Sequence, residues 1–143
     1  MIKGPSKHLS WKELACKDGT SYPEEWRNNR AIQLSNVYEL VREECGNKPI
    51  YVVSAFRTIE WNKKIGGAVN SQHIQGRALD LKHSNLTIEE FYLKVKRMTD
   101  LPIGIGGLGL YTTFIHVDIR PTTKAKRVFY WIGSGVKDDY KSI

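Results

Sequence analysis

Apolar residues recur along this chain with helical periods in some segments and with strand periods in others. Helical spacing is clearest in Ala31, Leu34, Tyr38, Val41 and Cys45, which end at Gly46, and in Phe91, Val95 and Met98, which follow the capping box Thr87-Ile88-Glu89-Glu90. Shorter helices are predicted after the capping box Ser10-Trp11-Lys12-Glu13, from Tyr22-Pro23-Glu24-Glu25-Trp26, and over 58–65.

β-Branched and aromatic residues predict strands over 50–56, about 77–82, 113–119 and 128–132. The glycine-rich stretch 103–109 lacks the Lys-Ser/Thr of a phosphate loop and is expected to form a strand and turn. Helices come first, and strands interrupted by helices follow, without regular βαβ alternation. The expected fold class is therefore α+β, a small antiparallel sheet flanked by helices, and 143 residues suit a single domain over 1–143.

Composition and charge limit the classes of binding partner that the sequence favours. No apolar stretch is long enough to cross a bilayer, and the N-terminus shows no apolar core of a secretory signal. The formal charge of +7 favours polyanions, such as an anionic cell envelope to which the protein could adsorb electrostatically. A specific nucleic-acid partner is not expected, because no recognition motif accompanies the charge. The one tight basic cluster, Lys124-Ala125-Lys126-Arg127, is interpreted as a surface loop.

The chain has two cysteines, Cys16 and Cys45, which do not form a CxxC pair. Cys45 falls at a core position of its predicted helix, so a buried free thiol is the favoured interpretation and a disulfide stays open. Among the histidines, His8 is expected to pack near the N-terminus and His83 to be exposed near a strand end. Neither is predicted to have a function.

Two segments carry candidate metal ligands. In Phe114-Ile115-His116-Val117-Asp118, strand alternation directs His116 and Asp118 to one polar face of a half-buried sheet, with Arg120 on the same face. In Ser71-Gln72-His73-Ile74-Gln75-Gly76-Arg77-Ala78-Leu79-Asp80, Gly76 permits a sharp turn between His73 and Asp80. Two imidazoles and one carboxylate suit Zn²⁺ with an open position, although other divalent metals fit such a site.

These residues resemble the zinc D-Ala-D-Ala carboxypeptidase family, which includes L-Ala-D-Glu phage endolysins. Its hallmark Ser-x-His-x-x-Gly-x-Ala-x-Asp, followed by a late His, is matched here from Ser71 to Asp80 and by His116. The stretch 54–58, Asn62 and 65–67 are similar to the compact phage and prophage branch. The resemblance implies a hedgehog/DD-peptidase-like fold and a zinc metallopeptidase that cleaves peptidoglycan stem peptides.

By this resemblance, His73, Asp80 and His116 are the zinc ligands. Arg57 matches an arginine near the substrate, where it would hold a carboxylate or stabilise an oxyanion; a structural ion pair is the alternative. Ser71 would bind substrate or shape its loop, and the role of Gln72 is open in the same way.

The chain departs from the family where several relatives carry the acidic general base. Thr113 stands at that position, and Phe114 stands where another group has a second histidine. Asp118 is therefore expected to act as the base, with orientation of His116 as the alternative role.

The resemblance also implies a setting for the activity. The expected enzyme is made in the cytoplasm of a bacterial host and reaches the wall after release, as a phage or prophage lysis enzyme, or within a virion. A non-catalytic zinc-binding virion or structural component with the same fold is the alternative function.

Overall fold

A computed structural model of the protein describes residues 3–122 and 127–136. The helices are α1 (Trp11–Leu14), a 3₁₀ turn (Glu24–Trp26), α2 (Arg30–Glu44), α3 (Ile59–Lys64) and α4 (Ile88–Met98). The strands are β1 (Ile50–Ser54), β2 (Ala78–His83), β3 (Gly107–Leu110), β4 (Ile115–Asp118) and β5 (Phe129–Ile132). The α+β class expected from the sequence is confirmed.

The five strands form one sheet in the order β1-β2-β4-β3-β5. The pairs β1–β2, β2–β4 and β3–β4 are antiparallel, as expected. The last strand differs from the expectation, because β5 runs parallel to β3. A tight hairpin after β4 would have produced an antiparallel pair; instead β5 lies beyond β3, at the edge of the sheet.

The core lies between the sheet and the helices. Helix α4 packs across β2, β3 and β4, and α2 packs on α4. The side chains that fill this layer are almost fully buried; they are Leu79, Leu81, Ile115, Val117, Phe91 and Val95. Alternation along β2 and β4 therefore leaves Asp80, His116 and Asp118 on the opposite face of the sheet.

That opposite face is not half-exposed, as the sequence pattern suggested. All four residues of β4 are buried, and Asp118 has no exposed surface at all. Other side chains cover this face: the Trp131 ring lies 4.8 Å from that of His116, and Arg120 donates to Asp118. Both edges of β4 are also paired, with β2 and β3.

The structure revises the helix predicted from Tyr22 and agrees with the predictions for the cysteines and His8. The predicted helix from Tyr22 is only a 3₁₀ turn, and α2 begins separately at Arg30, where the Asn29 side chain accepts a hydrogen bond from the Arg30 amide. Cys16 and Cys45 are buried free thiols, as favoured. His8 packs at the N-terminus, where its Nδ1 lies 2.7 Å from Glu39 Oε1.

The expectation that His83 is exposed is wrong. It is buried, its Nε2 donates to the carbonyl oxygen of Cys45, and its Nδ1 accepts from the amides of Asn85 and Leu86. In the basic cluster, residues 124–126 lie outside the described residues. Within the described ranges, none of the helices has the length and apolar character needed to span a membrane.

Candidate metal centre

The sheet register brings two of the predicted ligands together. Asp80 on β2 lies directly opposite His116 on β4, and His116 Nδ1 lies 3.1 Å from Asp80 Oδ1. Residues that face each other in antiparallel strands have close Cβ atoms, so the pairing itself places the carboxylate beside the imidazole.

His73 comes from the loop before β2 and meets the same oxygen. Its Nε2 lies 3.1 Å from Asp80 Oδ1. The loop is tied to the chain after β1, because the Arg57 amide donates to the His73 carbonyl. Gly76 closes the turn with φ +66°, and a Cβ there would lie 2.6 Å from the Trp26 ring. A side chain at that position would be strained and would also collide, so the turn requires glycine.

The hydrogen bonds of the two imidazoles determine which nitrogens lack a proton. His73 Nδ1 lies 2.6 Å from the carbonyl oxygen of Ala55, which can only accept, so this nitrogen carries the hydrogen. His116 Nε2 donates to Asp118 Oδ2 at 2.7 Å. In the neutral rings, the lone pairs of His73 Nε2 and His116 Nδ1 therefore both point towards Asp80 Oδ1.

When both rings are neutral, three hydrogen-bond acceptors thus converge on one point. Their three ligand atoms all lie within 4.8 Å of one another. A tetrahedral zinc ion with bonds of about 2.0–2.2 Å to nitrogen and oxygen suits such a set. The donor atoms fit Zn²⁺, and three protein ligands leave a coordination position for water or substrate.

Burial and neighbouring charges shift the pKa values of the three candidate ligands in different directions. Burial lowers the pKa of His73, which keeps this ring neutral. Burial also opposes the charged form of His116, but hydrogen bonds to Asp118 and Asp80 outweigh it and raise the pKa. Although burial alone would raise the pKa of Asp80, the two imidazoles hold it well below its usual range. A cation would replace a proton at His116, so metal binding should compete with protons.

Arg57 forms an ion pair with Asp80, the acidic candidate ligand. Its Nη2 donates to Asp80 Oδ2 at 3.2 Å, its Nη1 donates to Asn62 Oδ1, and its Nε donates to Ser54 Oγ. Asp80 Oδ1 is thereby left to face the histidines. The ion pair that the sequence left open is therefore present, and because Arg57 also lines the cleft, its contact with a substrate stays a prediction.

Asp118 lies behind His116 and outside the cleft. Its Oδ2 accepts from His116 Nε2, and both of its oxygens accept from the Arg120 guanidinium at 2.6–3.1 Å. Burial would raise its pKa, but the bonds from His116 and Arg120 lower it to about 2. A Cβ at Gly107 would lie 2.3 Å from Asp118 Oδ2, so this glycine makes room for the carboxylate. The geometry favours orientation of His116 over the expected role as a base.

Ser71 and Gln72 both line the cleft. Ser71 Oγ accepts from the His73 amide at 3.1 Å, which supports the loop-shaping role. Gln72 Oε1 is buried without a hydrogen-bond partner among the described residues.

The three candidate ligands lie in a cleft of about 510 Å³. One side is the loop that carries His73; the other is an aromatic wall formed by Tyr111, Phe114, Phe129 and Trp131. Trp131 lies 4.8 Å from His116 between ring centroids and over Gly109, the residue that pairs with both of them across the sheet.

A family model described as Peptidase M15 matches residues 7–118, most of the chain. The chain therefore belongs to the Peptidase M15 family, and the sequence resemblance is confirmed. The zinc D-Ala-D-Ala carboxypeptidase of Streptomyces albus G is 43% identical over 54 residues, a match that covers 36% of this chain and 21% of that protein. The chain thus spans about a fifth of that relative's length. The expectation of a zinc metallopeptidase is confirmed at the level of the family.

Sequence reasoning missed the aromatic wall and the partner of Asp118. Trp131 was only a strand residue in the pattern, and Tyr111 carried no signal. Arg120 was placed on the face of Asp118, so its ion pair could have been anticipated from a spacing of two along one strand.

Proposed function

We propose that this protein is a zinc-dependent peptidase that cleaves peptide stems of bacterial peptidoglycan. The bond would be D-Ala-D-Ala, as in a carboxypeptidase, or L-Ala-D-Glu, as in an endopeptidase. We further propose that residues 1–143 act as one peptidase domain. The family, and the substrate in the name of the Streptomyces relative, support this substrate class.

One observation carries the proposal. His73 Nε2, Asp80 Oδ1 and His116 Nδ1 converge inside a cleft large enough for a peptide segment, and in the neutral rings both nitrogens turn a lone pair towards the carboxylate oxygen. A histidine pair that only stabilised the fold would need no such convergence of acceptors, because unpaired acceptors in a buried site are unfavourable. A cation at this point satisfies all three.

The residues of the chain divide the work. His73, Asp80 and His116 would hold the metal, which when bound supplies a Lewis acid that activates water and polarises a carbonyl. Arg57 would orient Asp80 through its hydrogen bond to Oδ2. Three of its five N–H groups are engaged, so it retains donors for a substrate carboxylate.

The test uses defined stem peptides and intact peptidoglycan. The purified protein should release fragments, lose this activity with a chelator and regain it with zinc. His73→Ala and His116→Ala should abolish turnover and zinc binding while the circular dichroism spectrum is retained. The control is His8→Ala, which changes a histidine outside the cleft and should leave turnover unchanged. His83→Ala would not serve as a control because His83 is buried. Full activity in either ligand variant would refute the proposal, and mass spectrometry of the fragments would identify the bond.

A second candidate is a non-catalytic zinc-binding component of a virion or other structure. One observation favours it: among the described residues, Asp80 is the only carboxylate that lines the cleft, and Asp118 is buried against Arg120. This candidate predicts tight zinc binding with no cleavage of any stem peptide.

The setting that we propose is a phage or prophage lysis enzyme that acts at the cell wall after release from the host cytoplasm. The net charge of +7 supports adsorption to an anionic envelope. Such adsorption is electrostatic and should weaken as salt is added.

A further inference from the structure

The aromatic wall of the cleft contains one hydroxyl group, that of Tyr111. The residue follows β3 directly, and its ring stacks on Phe114 with 4.6 Å between centroids and 16° between planes. Both rings line the same cleft as the metal ligands. The stacking sets the plane of the phenol, so its hydroxyl lies in a defined direction.

The hydrogen bond that the Tyr111 hydroxyl makes leaves its own proton free. Trp131 Nε1 donates to the Tyr111 oxygen at 2.7 Å. An indole N–H can only donate, so the phenol oxygen is the acceptor and its O–H remains available as a donor. Within residues 3–122 and 127–136, no acceptor takes this proton.

Two glycines leave room for the rings of Trp131 and Tyr111. A Cβ at Gly109 would lie 2.4 Å from the Trp131 ring, and a Cβ at Gly133 would lie 2.4 Å from the Tyr111 ring. Each ring therefore packs directly against backbone. Trp131 bridges the two parts of the cleft, because its ring contacts His116 on one side and its N–H holds Tyr111 on the other.

Each of the two arginines of the cleft already pairs with an acid, although Arg57 retains N–H groups that suit a carboxylate. Arg57 donates to Asp80, and Arg120 donates to Asp118 through two of its nitrogens. A neutral hydroxyl whose proton has no partner is the kind of donor that a peptide carbonyl oxygen accepts. Because the partner ring fixes it in advance, its orientation costs little entropy when substrate binds.

We propose that the Tyr111 hydroxyl donates a hydrogen bond to a carbonyl oxygen of the stem peptide in the cleft, and that Trp131 positions it. The inference rests on the proposed peptidase function and adds a substrate-contacting residue to it.

The test compares Tyr111→Phe with a matched control, Tyr130→Phe. Both changes remove one hydroxyl, but that of Tyr130 contacts Thr99 outside the cleft. The measurements are kcat and KM on a defined stem peptide, the calorimetric Kd of a non-hydrolysable phosphinate analogue of that peptide, and zinc content. Tyr111→Phe should lower kcat/KM by about 10- to 100-fold and raise the Kd of the analogue by a similar factor, while the zinc content stays full. Tyr130→Phe should stay within about twofold of the wild type.

Values for Tyr111→Phe within about twofold of the wild type in both measurements would overturn the proposal. If the wild type cleaves no stem peptide, the proposed function fails, yet the analogue still decides the role of Tyr111: weaker binding by Tyr111→Phe supports it, and equal binding overturns it.

The positioning role of Trp131 has its own test in a double-mutant cycle. Trp131→Phe removes the N–H donor, so it should weaken binding of the analogue in the wild-type background. The effect should be much smaller in the Tyr111→Phe background. Equal losses in both backgrounds would show that Trp131 does not act through the Tyr111 hydroxyl.

Discussion

Replacing Asp118 by asparagine separates its two candidate roles. Asparagine keeps the size of the side chain and one oxygen that can accept from His116 Nε2, now 2.7 Å from the carboxylate, but it removes the negative charge. If Asp118 orients His116 and raises its basicity, the variant should bind zinc more weakly. If Asp118 is the base, the variant should bind zinc normally and lose turnover.

The magnitude follows from the hydrogen bond that changes. A hydrogen bond to a charged group contributes about 1.5–3 kcal/mol and a neutral one about 1 kcal/mol, so Asp118→Asn should lose about 0.5–2 kcal/mol of support for His116. This loss corresponds to a zinc affinity about 2- to 30-fold lower. Partners of metal-bound histidines commonly have effects of about 10- to 100-fold, which overlaps the upper part of this range.

The assay is competition for zinc against a chromogenic chelator, followed by kcat at saturating zinc. Asp100→Asn, an exposed change outside the cleft, is the control. Thermal unfolding of the apo-proteins shows whether loss of the Arg120 ion pair destabilises the variant. An unchanged zinc affinity, combined with a kcat that is lower by about 10² or more at saturating zinc, would refute the orienting role and identify Asp118 as the base.

Two further predictions concern stability. Gly109→Ala should destabilise the protein by about 1–3 kcal/mol in urea unfolding and impair the cleft, because the new Cβ would lie 2.4 Å from Trp131; an unchanged midpoint would contradict the packing. Glu39→Gln should cost below about 1 kcal/mol at neutral pH, since half-exposed pairs contribute little. Burial opposes ionisation of Glu39, but bonds from Ser6 and His8 outweigh it and lower the pKa. The stabilisation should therefore be present above about pH 4.3 and be lost as the pH falls below it, so a gap between wild type and variant that widens in acid would count against this reasoning.

The elements with strong local signals were predictable. Helix α4 begins after Thr87, whose side chain accepts from the Glu90 amide, as the capping box indicates. Helix α3 likewise begins after Thr58 and ends before Ile65. By contrast, the direction of β5 depends on its pairing with the distant strand β3, which short-range patterns do not contain.

At the candidate metal centre, too, some features were predictable from the sequence and others were not. Spacing and residue type indicated His73, Asp80 and His116, and the described structure brings these three together. The expected exposure of His83 failed because its neighbours in the sequence do not reveal that Cys45 and the turn after β2 enclose it.

By itself, the sequence determined the ligand types, their order, the glycine turn between them and the family. Only the tertiary structure decided which nitrogen of each imidazole faces the metal position, because Ala55 and Asp118 hold the other nitrogens from elsewhere in the fold. It also decided that Asp118 is buried and that Trp131 lies beside His116. The physical reason is that proton positions and burial are set by partners across the sheet, and strand pairing brings those partners together from distant parts of the chain.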